Sequence, residues 1–182
     1  MHERGFAGAS VRDIVQAAGV PQGSFTNHFA SKEAFGLEVI ERYFAGSREV
    51  MRQTLGNEAL APLERLAAYV DSFKDRTSRN GMRNGCLFGN FAAEASCHSE
   101  VIRTRLVEIF AEVQVAITRC LRAAVEYGSL AQDLDCDEIA AFLVSSLQGA
   151  HLLTKTQRAP DALDRLKRVL FTLILRPGAS RG

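Results

Sequence analysis

A short run of small, hydrogen-bonding side chains carries the chemistry that stands out in this sequence. Such side chains exchange hydrogen bonds with the edges of DNA bases and with phosphate oxygens. Near the N-terminus of a short helix they would form an exposed face that can enter the major groove of DNA. The sequence therefore predicts a DNA-reading surface made of Gln22, Gly23, Ser24, Asn27 and His28.

The residues before this run predict a helix that ends in a tight turn. Ser10 is a suitable N-cap, and Asp13 can complete a capping box. Apolar residues recur at helical spacing from Val11, and Gly19 is the residue type that ends a helix in the left-handed conformation. Pro21 then favours the start of a second helix, so the pattern predicts helix, turn and helix.

Two phenylalanines should hold the second helix in place. Phe25 and Phe29 lie four residues apart, and we expect them to fold back onto Ile14 and onto Val20, an apolar plug in the turn. Charged residues at the helix starts favour phosphate contact, although they could also be ordinary solvated charges. The candidate DNA-binding set is Ser10, Arg12, Gln22, Gly23, Ser24, Thr26, Asn27, His28 and Lys32.

The segment from Ser10 to Glu33 resembles the DNA-binding domain of the TetR family of bacterial transcriptional repressors. The matching residues are Gly5-Phe6, Ser10-Val11, Asp13-Ile14, Ala17-Ala18-Gly19-Val20, Gly23-Ser24-Phe25, His28-Phe29 and Ser31-Lys32-Glu33. The runs GCLFGN and SKEAFG are similar to a subgroup that controls detoxification genes. The resemblance implies a homodimer that binds double-stranded operator DNA and a small-molecule effector. A plain helical hairpin within a bundle is the alternative.

The sequence departs from the family pattern at two places. Thr26 stands where the family usually has a tyrosine that contacts phosphate. Only Met1 to Gly5 remain of the family's first helix, as in a truncated chain, so we expect an uncovered apolar face on Ile14, Val20 and Phe29.

Composition limits the classes of function. The chain has 182 residues and a formal net charge of +1, so DNA binding rests on the motif rather than on bulk charge. We see no signal peptide and no run long enough to cross a membrane, and we expect a cytoplasmic protein. Because the cysteines lack metal-site spacing, neither a metal nor a cofactor is predicted. The thiols are Cys86, Cys97, Cys120 and Cys136.

Helical periodicity continues to the end of the chain, which predicts an all-α fold. We expect a helix-turn-helix domain over residues 1–45 and a larger helical ligand-binding and dimerisation body over residues 46–182. The segment from Asp135 to Lys155 is apolar nearly all round. Such a helix needs cover on every side, so it and the helix after Pro160 predict a four-helix interface between two subunits.

Candidate effector residues lie throughout the body. Aromatic residues could line a cavity or could be plain core, while buried amides and imidazoles need a partner that a ligand or a neighbour supplies. Cys86 follows a glycine at a helix start, which favours a reactive thiolate, although a packed thiol is the alternative. Cys97-His98 is rejected as a metal or nucleophile pair. The candidate set is Phe73, Cys86, Phe88, Phe91, Phe110, Gln114, Phe142, Gln148 and His151.

These observations predict a ligand- or electrophile-responsive transcriptional repressor. Its body would adopt two arrangements that space the two reading domains differently, and the long helix after Ser31 would act as the lever. We find no nucleophile–base, metal or phosphate-loop signature, so an enzyme is not expected. The alternative is a helical small-molecule-binding protein without competent DNA binding.

Overall fold

The computed structural model describes residues 1–3, 5–78 and 81–175, and the regular elements of these residues are all helical. This confirms the predicted all-α class. The predictions for Asn80 and for the tail from Arg176 to Gly182 lie outside the described residues. The helices are α1 (Val11–Ala18), α2 (Gly23–His28), α3 (Lys32–Gln53), α4 (Pro62–Ser78), α5 (Leu87–Ala95), α6 (Glu100–Glu126), α7 (Cys136–Gln157) and α8 (Asp161–Val169), followed by a π turn (Leu170–Ile174).

The chain divides into two compact units. The first unit consists of Met1–Gly46 together with Cys86–Ile109, and the second consists of Ser47–Gly85 together with the described residues from Phe110 onward. The helix-turn-helix segment, residues 1–45, is called the head below. It shares its compact unit with α5 and the first half of α6, an association that local sequence patterns do not reveal. Within the described residues, every helix is too short or too polar to span a lipid bilayer.

Helix α1 begins and ends as its sequence predicts. The Ser10 hydroxyl accepts the Asp13 amide at 3.1 Å, and the Asp13 carboxylate accepts the Ser10 amide at 2.9 Å. Gly19 ends the helix with φ 68°, and its amide donates to the Gln16 carbonyl. The prediction that Val20 plugs the turn is wrong: its amide bonds back to the helix, while 43% of the residue is exposed.

Aromatic rings fix α2 against α3 in the first unit. Phe25 is buried, and its ring lies 5.4 Å from that of Phe29 and 5.7 Å from that of Phe35. Phe29 and Phe35 meet edge to face at 4.9 Å. The rings of α2 thus pack onto α3, and Phe35 was the partner that local periodicity did not identify. On the face expected to be uncovered, Val20 is exposed, while Ile14 and Phe29 are half-buried.

The second unit packs α4, α7 and α8 around an aliphatic core. Leu66, Leu143 and Leu163 are at most 2% exposed. Two surface ion pairs join α4 to α8, between Lys74 and Asp164 and between Asp71 and Lys167. Exposed pairs of this kind contribute at most about 1 kcal/mol each, so apolar burial holds the unit together.

Helix ends in the second unit also follow local rules. Pro62 opens α4, and the Asp135 carboxylate accepts the amides of Asp137 and Glu138 to cap α7. The last helix was expected to be regular, but it widens at its end, where the Leu175 amide donates to the Leu170 carbonyl at 2.8 Å. Leu170 and Leu175 are both buried, so the π turn keeps two leucines in the core.

Substitution of two glycines in the head by alanine should change the free energy of unfolding in opposite directions. A Cβ at Gly19 or Gly23 would meet nothing within 4 Å, but only Gly19 has a positive φ. Gly19→Ala should lower the free energy of unfolding by about 1–2 kcal/mol through left-handed strain. Gly23→Ala should raise it by about 0.5–1 kcal/mol because alanine loses less backbone entropy in a helix. Urea denaturation measures both, and shifts of the same sign would contradict the assignment of strain to Gly19.

Candidate DNA-binding surface and effector site

The exposed side of α2 displays the predicted reading residues. Burial of Phe25 and Phe29 against Phe35 forces the opposite side of this short helix outward. The structure leaves Gln22, Gly23, Thr26, Asn27 and His28 exposed and Ser24 half-buried. The predicted residues of the second helix therefore share one accessible surface.

Thr26 has a local role that its sequence position does not reveal. Its hydroxyl donates to the Gly23 carbonyl at 3.0 Å, one turn back along α2. The hydroxyl oxygen keeps lone pairs that accept hydrogen bonds, but its proton is committed to the helix. A donated hydrogen bond from Thr26 to a phosphate would compete with this internal bond.

The head has cations whose acidic neighbours are engaged elsewhere. Arg12 is exposed near the start of α1, and Lys32 is half-buried at the start of α3. Asp13 accepts hydrogen bonds from Ser10, and Glu33 accepts one from the Ser99 hydroxyl. Carboxylates that are directed to these partners leave the two cations available to the phosphate backbone.

Ser10 occupies the cap of α1 rather than an isolated surface position. Its side chain is bonded to Asp13, so its first contribution is to the helix start. The first amides of α1 point away from the helix at that end, where the helix dipole favours a negative charge. Ser10 thus forms the end of a helix that suits a phosphate oxygen.

The candidate effector residues fall into both compact units. Phe88 and Phe91 belong to the first unit, where Phe88 meets Tyr43 at 4.9 Å and Phe91 is fully buried. These contacts favour the core interpretation for both rings. The second unit holds Phe73, Phe110, Gln114, Phe142, Gln148 and His151.

A polar stripe runs along the buried side of α7. The imidazole of His151 meets the Phe73 ring edge to face at 5.1 Å. The Gln148 Oε1 and Thr154 Oγ1 atoms are buried and have no hydrogen-bond partner among the described residues. Unpaired buried polar atoms are costly, so this stripe is a candidate place for a ligand that supplies the missing partners.

Sequence reasoning missed Thr154, which is fully buried. A threonine in an apolar helix is commonly assigned to a backbone hydrogen bond or to the surface. The sequence spacing could have placed Thr154 in the polar stripe. Gln148, His151 and Thr154 follow one another at three-residue intervals and so lie along one side of the helix.

The four cysteines differ in access and in chemistry. Cys86 is the N-cap residue of α5 and is 8% exposed, while Cys97 is exposed. The Cys120 Sγ donates to the Pro62 carbonyl at 3.2 Å, and burial raises the pKa of this thiol to about 11. Burial also raises the pKa of Cys136. Cys120 and Cys136 are therefore packing residues that resist conversion to thiolate.

An apolar groove of about 310 Å³ lies between α7 and α8. Phe142 and Leu153 from α7 line it together with Leu166 and the nearby Ile174. Phe142 is 48% exposed and Leu153 is 44% exposed. Large apolar side chains at a solvent-facing groove are typical of surfaces that bind another protein.

Comparisons with known proteins agree with this architecture. A family profile described as "Bacterial regulatory proteins, tetR family" matches residues 1–39, and one described as "Tetracyclin repressor-like, C-terminal domain" matches residues 62–170. The HTH-type transcriptional repressor DhaR of Mycobacterium sp. (strain GP1) is 39% identical over 173 residues, which cover 95% of this chain and 85% of DhaR.

Solved structures of related regulators are also similar to this chain in their fold. The regulatory protein TetR from Rhodobacter sphaeroides has a TM-score of 0.88 and 32% identity, over 92% of this chain and 89% of that one. A cysteine mutant of the TetR family regulator CifR, complexed with 26bp double-strand operator DNA, has a TM-score of 0.81 and 25% identity, over 94% and 89% of the two chains. The chain is therefore a member of the TetR family of bacterial transcriptional regulators.

Proposed function

We propose that this protein is a dimeric repressor that reads its operator through α2 and leaves the DNA when an effector binds. The observation that carries the proposal is the polar outer side of α2, which the phenylalanine cluster fixes against α3. Members of the family bind operator DNA as dimers and respond to small-molecule effectors. Such a protein acts where the bacterial chromosome lies, in the cytoplasm, by binding rather than by catalysis.

The DNA contacts divide into those that specify and those that position. Gln22 and Asn27 have amide groups that form paired hydrogen bonds with an adenine edge in the major groove. Gly23 and Ser24 let the helix approach closely, and His28 lies at its far end. Arg12 and Lys32 contact the phosphate backbone, and the start of α1 at Ser10 offers it backbone amides. Thr26 reaches a phosphate only by giving up its hydrogen bond to the Gly23 carbonyl.

The second copy docks on the groove between α7 and α8. Exposed Phe142, Leu153 and Leu173 supply the apolar area that a stable interface needs. The pairing of two helices from each subunit forms a four-helix arrangement and sets the distance between the two reading heads. Two half-sites on one face of B-DNA lie about 34 Å apart, so this distance decides whether both heads bind.

The effector acts by favouring an arrangement whose head spacing does not match the operator. A ligand that changes a two-state equilibrium from 1:99 to 99:1 needs a differential affinity of about 5.5 kcal/mol. The polar stripe of Gln148, His151 and Thr154 is the reversible binding site, where ligand groups would satisfy the buried oxygens of Gln148 and Thr154. Cys86 supplies a second route, modification by an electrophile.

Substitution of two DNA-binding residues should separate base reading from phosphate contact. Gln22→Ala should cost about 1–3 kcal/mol of discrimination at one base position. Lys32→Ala should weaken binding to all sequences alike and reduce the slope of log K against log salt by about one for each reading head. Fluorescence anisotropy with an operator selected from random duplexes measures both. A Lys32→Ala loss that depends on sequence would contradict the phosphate assignment.

Charges in the α7–α8 groove should dissociate the dimer. Phe142→Glu and Leu153→Glu place carboxylates on side chains that one protomer leaves exposed, so each protomer should stay folded. Leu147 of α7 and Leu170 after α8 are unsuitable positions for this test, because both are buried within the protomer and their substitution would report its folding instead. Light scattering should show monomers for the first pair. Dimers that persist with unchanged affinity would place the interface elsewhere.

Modification of Cys86 should release DNA. In a Cys97→Ser background, which removes the exposed thiol, N-ethylmaleimide should lower operator affinity at least tenfold, and Cys86→Ser should abolish this response. Because Cys86 is 8% exposed, the reaction should be slower than that of an unburied thiol.

Cys120→Ser and Cys136→Ser serve as matched controls, since burial raises the pKa of both thiols. They should release DNA as the parent does. If Cys86→Ser also releases DNA like the parent, Cys86 is a packing residue, and sensing rests on the polar stripe of α7 alone.

A further inference from the structure

The segment just before α1 is held by a carboxylate from α5. The Ala7 amide donates to Glu94 Oε2 at 2.8 Å, across 87 positions of sequence. Gly5 is buried and has φ 75°, and a Cβ at Gly5 would overlap the Glu94 carboxylate. The backbone of Gly5 and Ala7 therefore lies directly against the Glu94 carboxylate, in a left-handed conformation at residue 5 that suits glycine.

The same segment places the Phe6 ring in a slot on α3. Lys32 and Gly36 are four residues apart and so lie on one side of α3. A Cβ at Gly36 would lie 2.9 Å from the Phe6 ring, so the ring occupies the space above this glycine. The Phe91 ring of α5 lies 5.4 Å from the Phe6 ring and closes the slot.

The cation at the start of α3 rests on this ring. The Lys32 Nζ atom lies 4.8 Å from the centroid of Phe6, within the range of a cation–π interaction. A lysine side chain otherwise samples many rotamers, and its ordering costs entropy when it binds a phosphate. A lysine that is held over an aromatic ring has lost part of that freedom before DNA arrives.

We propose that Glu94 is a positioning residue for DNA binding, which holds Phe6 beneath Lys32 and so orients the lysine toward the DNA backbone. The proposal deepens the proposed function and rests on the phosphate contact of Lys32. The change in DNA affinity that it predicts is opposite to the change expected from charge alone. Removal of an acidic residue from a DNA-binding unit favours binding by charge alone, whereas loss of this clamp weakens binding.

A double-mutant cycle tests the proposal on the full-length protein with the selected operator. Glu94→Ala should weaken binding roughly three- to tenfold and reduce the salt slope by about one for each reading head, as Lys32→Ala does. Lys32→Ala combined with Glu94→Ala should bind no more weakly than Lys32→Ala alone, because both changes remove the same contact. Phe6→Leu should repeat the effect of Glu94→Ala.

Control variants separate the clamp from charge and from folding. Glu94→Gln keeps an oxygen that accepts the Ala7 amide, so it should retain the salt slope of the parent. Glu38→Ala removes an exposed acid from the same compact unit and should leave the slope unchanged. Hydrogen exchange of the free protein should accelerate at residues 5–8 in Glu94→Ala while α2 and α3 stay protected.

Three results would contradict this positioning role of Glu94. A Glu94→Ala protein with the parental salt slope, or one whose effect adds fully to that of Lys32→Ala, would show that Glu94 supports the fold alone and would overturn the proposal. If Lys32→Ala itself leaves the salt slope of DNA binding unchanged, Lys32 does not contact phosphate as the proposed function states. Glu94 then has no phosphate contact to position.

Discussion

Packing of three phenylalanines against one another is the constraint on which the reading surface depends. Helix α2 has only six residues, too few to be stable alone, and it presents a polar side to solvent because Phe25 and Phe29 anchor its other side to Phe35. A rotation of α2 about its axis would expose these rings and bury amide and imidazole groups instead. The hydrophobic cost of that rotation therefore orients Gln22, Asn27 and His28 outward.

Individual charged groups, rather than the net charge of the chain, are expected to set the affinity for DNA. With a net charge of +1, long-range attraction to DNA is weak, so affinity depends on a few well-placed groups. The structure uses its acids accordingly: Asp13 caps α1, Glu33 accepts a hydrogen bond from Ser99, and Glu94 accepts the Ala7 amide. These three carboxylates thus have structural partners, whose positive ends partly offset their repulsion of the DNA backbone.

Local rules were enough to predict the helix class, the caps at Ser10 and Gly19, and the outward side of α2, because these depend on neighbours within four residues. Contacts across longer separations were not predictable. Val20 was placed inside because it is apolar, yet the bonds that close the turn direct it outward. The segment from Asp135 to Lys155 was expected to use its apolar residues at an interface, but the protomer itself buries several of them, such as Leu143 and Leu147. The pairing of Glu94 with Ala7 spans 87 positions and has no local signature.

Ion pairs between α3 and α6 bear on the two arrangements that the proposed function requires. Within the first unit, Arg105 of α6 donates to both oxygens of Glu41 on α3, and its guanidinium also lies 5.6 Å from the Phe44 ring. Within the second unit, Arg48 of α3 forms a two-pronged pair with Glu112 of α6 at 2.7 and 2.8 Å. Paired hydrogen bonds fix the register of the two helices because both must form together. The Arg48–Glu112 pair is exposed and contributes at most about 1 kcal/mol, whereas Arg105 is half-buried and also contacts the Phe44 ring. If the proposed function holds, a change of arrangement breaks the exposed pair at little cost, while the fully buried Ile40, Phe44 and Ile109 of the first unit resist sliding through close packing.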